Sequence, residues 1–394
     1  MNNIIKKISA VVMAFAITGI SAAAAKTFPT QSDSIVTASA AENDHVYGSL
    51  LGPGTGLSTD IKSSVNNILD KYIGSVRTLL DRCSSMRGVQ KQINYRFASK
   101  EEGADLMLSN TEYYDGFSKN ELEFKMQKKD ATMEEYQAFA AEQVEDFTEA
   151  EKLMLDNHFM AMENTLRRKG YTLPGLDEVV LIKTTMREEL GASGYTHGTQ
   201  IYIHDWILKE ALATDSMSRM SANDYLDKFL WHELFHCLTR NNPDFRAEMY
   251  KLIHFTVVED DFPLPPSVFE YHISNPDVEH HNSYATFHIN GEDIDCFIDT
   301  VTTQHFEQEG DTFMQYMIPA LVPTDGSDLY YTAEMADNFY DVFGQNTWYV
   351  DDPEECMADN FSYALVFGLR GDHGSGYETP EIIEGIITYL QNNN

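Results

Sequence analysis

The sequence predicts an α+β protein, and three observations lead there. Apolar residues recur at helical spacing over long stretches; in "DIKSSVNNILDKYIGSVRTLLDR", Ile61, Val65, Ile68, Leu69, Tyr72, Ile73, Val76 and Leu79 share one face. Short β-branched runs, "DEVVLIKTTM" at 177–186 and "TQIYIH" at 199–204, break this texture after a mostly helical first part. Two further runs, "SYATFHI" and "DIDCFIDTV", flank Asn290-Gly291, a dipeptide suited to a tight hairpin.

Composition sets the outer bounds. A chain of 394 residues, 43% hydrophobic and 12% aromatic, has enough apolar material for a sizeable core in one large domain or two lobes. With 62 acidic against 28 basic residues the formal net charge is −34. Phosphates need Lys and Arg to neutralise them, so nucleic acid and anionic membrane surfaces are poor partners.

The elements follow in order. Lys6 and Lys7 precede the apolar "ISAVVMAFAITGISAAAA", the pattern of a secretory signal. Cleavage is expected after Ala40, or after Ala25, because the polar "KTFPTQSDS" between them suits neither lipid nor core. No second long apolar run follows, so the mature protein is expected to be exported and not stably inserted in a membrane. Residues 41–58 are a Gly- and Ser-rich lead-in, and 59–170 a helical N-terminal region that includes "TMEEYQAFAAEQVEDFTEAEKLMLDNHFMAMENTLRRKG" and stops at Gly170. A permanent lobe is preferred there to a removable pro-segment. Residues 171–394 form a second domain. In it a helix over 221–240 is stopped by Asn241-Asn242-Pro243, another lies near 332–343, and a last one starts at Thr379-Pro380. Cys83, Cys237, Cys296 and Cys356 are too scattered for a disulfide scaffold or a Cys-rich zinc site. Cys237 and Cys356 are read as small buried hydrophobes rather than a disulfide.

The chemistry lies in "FLWHELFHCL", residues 229–238, which contains H-E-x-x-H. On a helix His232 and His236 lie on one face and can reach one ion together, while Glu233, rotated by about 100°, stands beside it. Zinc suits imidazole and carboxylate, and a catalytic zinc site has three protein ligands and leaves one position to water. Glu233 would then act as general base and acid toward that water and the leaving amine. Satisfied core polar groups are the bland alternative, but such a buried triplet is costly without a partner charge.

Three acidic residues compete as third ligand. Thr239 and Asn242 stand where an H-E-x-x-H-x-x-G-x-x-H extension needs Gly and His. Glu259 has roughly the thermolysin spacing but Pro263 where an aspartate is needed, and Asp328 with Tyr331 lacks the flanking glycines of an aspzincin. "DDPEECMADNF" fits better, because Asp352 can cap a helix with Pro353 in its first position and Glu355 and Asp359 four apart on one face.

H-E-x-x-H on one helix with E-x-x-x-D on a later one resembles the gluzincin metallopeptidases. "GQNTWYV" and "PEECMADNFS" look like an exported bacterial group of uncharacterised zinc-protease-like proteins. Over 177–370 the resemblance implies a zincin-like core in 171–394, with Zn2+ held by His232, His236 and Glu355, Glu233 as general base, and Asp359 behind His232. It also makes "GYTHGTQIYIH" the edge strand that pairs with an extended peptide or protein substrate. An oxyanion donor is needed; Tyr271, His272, His280, His281 and Tyr349 are available, and Tyr349, just before the ligand helix, is taken first. The competing function is a non-catalytic exported binding protein that keeps the zinc for structure, which a fourth protein ligand would reveal.

The signal reading is tested by N-terminal sequencing of protein from culture supernatant. A chain starting at Ala41, or at Lys26, is expected; an intact Met1 on the exported form would make the segment an anchor.

Overall fold

The computed structural model describes residues 91–214 and 221–393. The signal, the lead-in, Cys83 and the helix expected from Ile61 onward lie outside them. Strand β1 (Asn94–Phe97) is followed by helices α1 (Lys100–Leu108), α2 (Thr111–Asp115), α3 (Lys119–Met126) and α4 (Met133–Glu142), the short β2 (Val144–Glu145) and the long α5 (Glu149–Lys169). Next come β3 (Glu178–Thr184), β4 (Gly194–His197), β5 (Gln200–His204), α6 (Asp205–Thr214), α7 (Ser221–Asn241) and α8 (Pro243–Lys251). The rest comprises β6 (Thr256–Val257), α9 (Pro266–Phe269), β7 (Ser283–Ile289), β8 (Glu292–Thr302), β9 (Met317–Pro323), β10 (Tyr331–Thr332), α10 (Phe339–Phe343), α11 (Pro353–Val366) and α12 (Pro380–Asn392). The architecture is mixed α+β.

Among the described residues, two five-stranded sheets form the frame. In the first, β1 and β5 flank β3 in parallel, β2 pairs antiparallel with the far end of β3, and β4 closes the sheet antiparallel to β5. Its central strand is covered on both sides. Val179 and Leu181 face the core shared with α5 and α7, and Val180 and Ile182 face the cluster that includes Met107, Tyr136 and Ala140 of α1 and α4. The second sheet, in the order β10-β9-β8-β7-β6, is antiparallel throughout. Its β7–β8 turn takes positive φ at Asn290 (54°) and Gly291 (87°), as the dipeptide suggested.

Part of 91–170 is strand, because β1 and β2 both complete the sheet centred on β3. The helical stretch over 132–170 is two helices, each started by a capping box, Thr132 with Glu135 and Thr148 with Glu151, with β2 between them. Helical propensity alone does not register a two-residue strand that exists only by pairing with Lys183 and Thr184. Near 332–343 the helix is only the short α10. Thr379 makes no side-chain cap to α12; its hydroxyl instead accepts the Gln345 N–H at 2.9 Å. Gly194 is required where β4 crosses α7, because a Cβ there would stand 2.5 Å from the Phe229 ring and 2.8 Å from the Tyr202 carbonyl. Among the described residues no helix is long and apolar enough to cross a membrane.

Between α9 and β7 the chain makes a strap, 272–281, whose two ends close on one carboxylate. Asp299 of β8 accepts from His272 Nδ1 at 2.7 Å and from His281 Nε2 at 3.2 Å. His272 Nε2 donates to Ser274 Oγ at 3.1 Å, and Glu121 of α3 accepts both the N–H and the hydroxyl of Ser274, at 3.0 and 2.9 Å. Burial alone would push Asp299 up, but His272 and His281 outweigh it and hold the carboxyl down at about 2. Burial pulls His272 down, and Asp299 outweighs it, so this imidazole titrates above its ordinary value.

A depressed carboxylate contributes stability above its unfolded pKa and loses it as pH falls through the folded one. Asp299→Asn should therefore lower the unfolding free energy by roughly 2–3 kcal/mol at pH 6, because the folded carboxyl titrates at about 2 and not in the ordinary carboxylate range. Urea unfolding should show the gap to the parent protein narrowing as pH falls from about 4 toward 2. An acid-independent gap would mean that Asp299 acts through packing alone.

Candidate metal centre

The site forms where α7 lies against α11. Helix α7 buries Leu230, Trp231, Leu234, Phe235 and Leu238, and the rings of Trp231 and Phe235 sit 6.1 and 5.3 Å from that of Phe361 on α11. This apolar contact turns the opposite edge of α7, with His232 and His236, toward the first turns of α11. There the Asp352 carboxylate accepts the Glu354 N–H at 2.8 Å and Pro353 occupies the first helical position, as the sequence suggests.

His232 Nε2 stands 3.1 Å and His236 Nε2 3.7 Å from Glu355 Oε2, and the donor atoms of the three residues all lie within 4.8 Å of one another. Each imidazole is held from behind. His232 Nδ1 lies 3.2 Å from Asp359 Oδ1, and His236 Nδ1 lies 3.0 Å from Glu354 Oε1. These carboxylates are themselves anchored: Asp359 by Lys228 at 3.2 Å and Thr347 at 2.5 Å, Glu354 by Thr239 at 2.6 Å and Tyr250 at 2.5 Å. With each Nδ1 donating to a carboxylate, both Nε2 lone pairs are directed to the side where Glu355 stands.

Glu233 is buried beside this group, and its Oε2 and His236 Nε2 are buried atoms without a hydrogen-bond partner among the described residues. Buried polar atoms are nearly always partnered, so two orphans facing one spot mark a place built for something other than protein. Two imidazole nitrogens and a carboxylate oxygen are the donor set of a zinc-type ion, and His232, His236 and Glu355 fit one.

The electrostatics carry the same signature. Burial, then Asp277, raises the Glu233 carboxyl well above the ordinary range. Asp351 is pushed up to about 7 by burial and by Glu355. Burial would also raise Asp359, but Lys228 and His232 overcome it and hold that carboxyl far below the usual range. Carboxylates crowd this site beyond the number its side-chain cations can neutralise. Such crowding favours a cation.

Tyr349 stacks on His232, with ring centroids 5.9 Å apart and planes at 6°. Burial and then Glu355 raise its pKa well above the ordinary phenol value, so it remains a donor at neutral pH. The other residues considered for that role face elsewhere. Tyr271 packs on His305, His272 and His281 serve Asp299, and exposed His280 pairs with Asp261. Neither rival ligand belongs to this donor set. Glu259 is exposed on the loop after β6, and Asp328 accepts the Ser267 N–H at 3.0 Å in an exposed turn. Cys237, Cys296 and Cys356 are free and buried.

Three features escaped the sequence reading. Glu354 was legible only as an acidic residue at a helix start, although a second ligating histidine needs its own outer carboxylate and that requirement pointed to it. Arg240, one turn beyond His236, donates to Pro276 O at 2.8 Å and to Thr196 Oγ1, and pairs with Glu279 at 2.9 Å. The strap brings Asn275 to Glu355 Oε1 at 2.7 Å and Asp277 to within 4.0 Å of His236 Nε2. No periodicity or motif in "SNPDVEHHN" announces those contacts.

No protein-family model, curated protein or solved structure matches the chain.

If Glu355 completes the donor set, Glu355→Gln should lose most zinc affinity, read by competition with a chromophoric chelator. Asp359→Ala and Glu354→Gln should weaken it ~10–100-fold by freeing an imidazole. Glu259→Gln and Asp328→Asn should leave it unchanged; metal stripped by either of these and kept by Glu355→Gln would move the site elsewhere.

Proposed function

We propose that this chain is an exported zinc-dependent metallopeptidase with a zincin-like core of the gluzincin kind, acting on peptide or protein substrates. One observation carries the reading: His232, His236 and Glu355 converge from two helices, with the buried, unpartnered carboxylate of Glu233 beside them. When bound there, a zinc ion supplies Lewis acidity to a peptide carbonyl and to water.

The chain's own residues do the remaining work. Asp359 and Glu354 fix both imidazole tautomers and, through Lys228, Thr347, Thr239 and Tyr250, hold both rings in place. Glu233 takes a proton from the attacking water and delivers it to the leaving amine, and its raised pKa suits a group that must both accept and return it. The Tyr349 hydroxyl, beside Glu355, donates to the developing oxyanion. An extended substrate pairs with edge strand β4 in place of the 272–281 segment, whose Asp277 and Glu279 take the outward N–H groups of Thr196 and Gly198 in this structure.

The second reading, a non-catalytic exported protein that keeps the metal for structure, draws on one fact. The site is closed, with the His236 and Glu355 side chains 0% and 1% exposed.

Glu233→Gln separates the two. Metal analysis should find about one zinc per chain in both parent and variant, while cleavage of a mixed peptide library should fall by at least ~10²-fold, because an amide cannot accept the proton. Undiminished cleavage removes Glu233 from the chemistry, and a zinc-loaded parent that cleaves nothing makes the site structural.

A further inference from the structure

The strap lies along the open edge of the first sheet, on the side where the metallopeptidase reading, on which this inference rests, places substrate. In the β4–β5 ladder Tyr195 faces Tyr202 and Thr196 faces Ile201. The Thr196 N–H points away from β5, and Asp277 Oδ1 takes both that N–H, at 2.8 Å, and the Thr196 hydroxyl, at 2.6 Å. Just past the strand, Glu279 Oε1 takes the Gly198 N–H at 3.0 Å. An added strand would use the same donors. The strap satisfies them with side-chain carboxylates and forms no backbone ladder with β4.

The same two carboxylates face Arg240, at 4.0 Å for Asp277 and 2.9 Å for Glu279, and the guanidinium is only 6% exposed. Leaving a buried guanidinium unpaired is strongly unfavourable. Whatever displaces the strap must therefore bring negative charge of its own. Room for it exists: a cavity of about 270 Å3 beside the strap is walled in part by Arg240, Arg246, Tyr250, Asp277 and Glu279. At the other end Asn275 holds Glu355, and Asp277 shares a cluster within 4.8 Å with Glu233 and His236, whose unpartnered Oε2 and Nε2 are buried there.

We propose that the 272–281 strap is an internal stand-in for substrate, and that the cleft it fills binds extended peptides carrying an acidic side chain, recognised by Thr196, Gly198 and Arg240. Asp277 and Glu279 mimic that side chain. The protein as folded is latent, and an acidic peptide competes with its own strap. The Asp299 clamp holds the strap's two ends, so displacement by a peptide is confined to its middle, where the contacts to Thr196, Gly198 and Arg240 are exchanged.

The test uses zinc-loaded mature protein and two probes, acetylated penta-alanine peptides extended with a fluorophore pair and carrying a central glutamate or glutamine. The double variant Asp277→Ala/Glu279→Ala should raise kcat/KM on the glutamate peptide ~10-fold by removing the competing closed state. It should prefer glutamate over glutamine, and adding Arg240→Gln should abolish that preference. Amide exchange at Thr196 and Gly198 should quicken in the double variant. Should that variant fail to fold, exchange in the parent decides: the glutamate peptide should speed exchange across 273–280 and the glutamine peptide should not. A folded, zinc-loaded double variant no faster on either peptide, or parent exchange indifferent to both, overturns the strap while leaving the metal site standing. A parent chain that takes up no zinc overturns both.

Discussion

Two imidazoles, each gripped at Nδ1 by a carboxylate from the facing helix, are the contact around which the rest of the structure is arranged. His232 with Asp359 and His236 with Glu354 lock α7 against α11 in a single register, because the two pairs must be satisfied together across spacings of four residues on α7 and five on α11. Apolar packing around Trp231, Phe235 and Phe361 would tolerate sliding or rotation far better than four buried polar groups that must all find partners. Removing one member of such a pair leaves its partner buried and unpaired, so the arrangement holds as a unit. The outer anchors extend the same logic, since Lys228, Thr347, Thr239 and Tyr250 leave neither carboxylate free to turn.

That lock concentrates negative charge in a dry place. Glu233, Glu354, Glu355, Asp277 and Asp359 are all buried within the same region, and Lys228, Arg240 and Arg246 pair into it. The elevated pKa values of Glu233 and Asp351 are the electrostatic expression of that crowding. Low dielectric makes each charge felt strongly, which is costly in isolation and useful for holding a cation and moving protons. Stability and the proposed chemistry thus draw on the same groups.

The open edge of the first sheet poses a separate problem. Edge strands with free N–H groups invite unwanted pairing, and proteins cover them. Here the cover is a strap whose side chains, rather than its backbone, meet the edge, and whose ends are tied to the second sheet through Asp299. Carboxylate acceptors can be exchanged for others one at a time, whereas a backbone ladder must be unzipped. The same cover joins the two sheets, because His272 also bridges to Val301 of β8.

Local chemistry made a good part of this protein readable from sequence alone. The H-E-x-x-H helix, its stop at Asn241-Asn242-Pro243, the Asp352-Pro353 helix start, the Asn290-Gly291 hairpin and the strands at β3 and β5 all follow from residue-level rules of spacing, capping and turn preference. The i,i+4 spacing of Glu355 and Asp359 also sufficed to put them on one face. What only the tertiary structure decided depends on residues far apart in sequence. Strands β1 and β2 exist through pairing with β3, so 91–170 is not a purely helical region. Glu354 acquires its role from His236, a residue on another helix. Asn275, Asp277 and Glu279 sit in a polar loop without periodicity, and only the path of the chain sets them against Glu355, Thr196, Gly198 and Arg240. Spacing along a helix is written in the sequence, whereas which side chain meets a distant one is settled by the packing of whole layers.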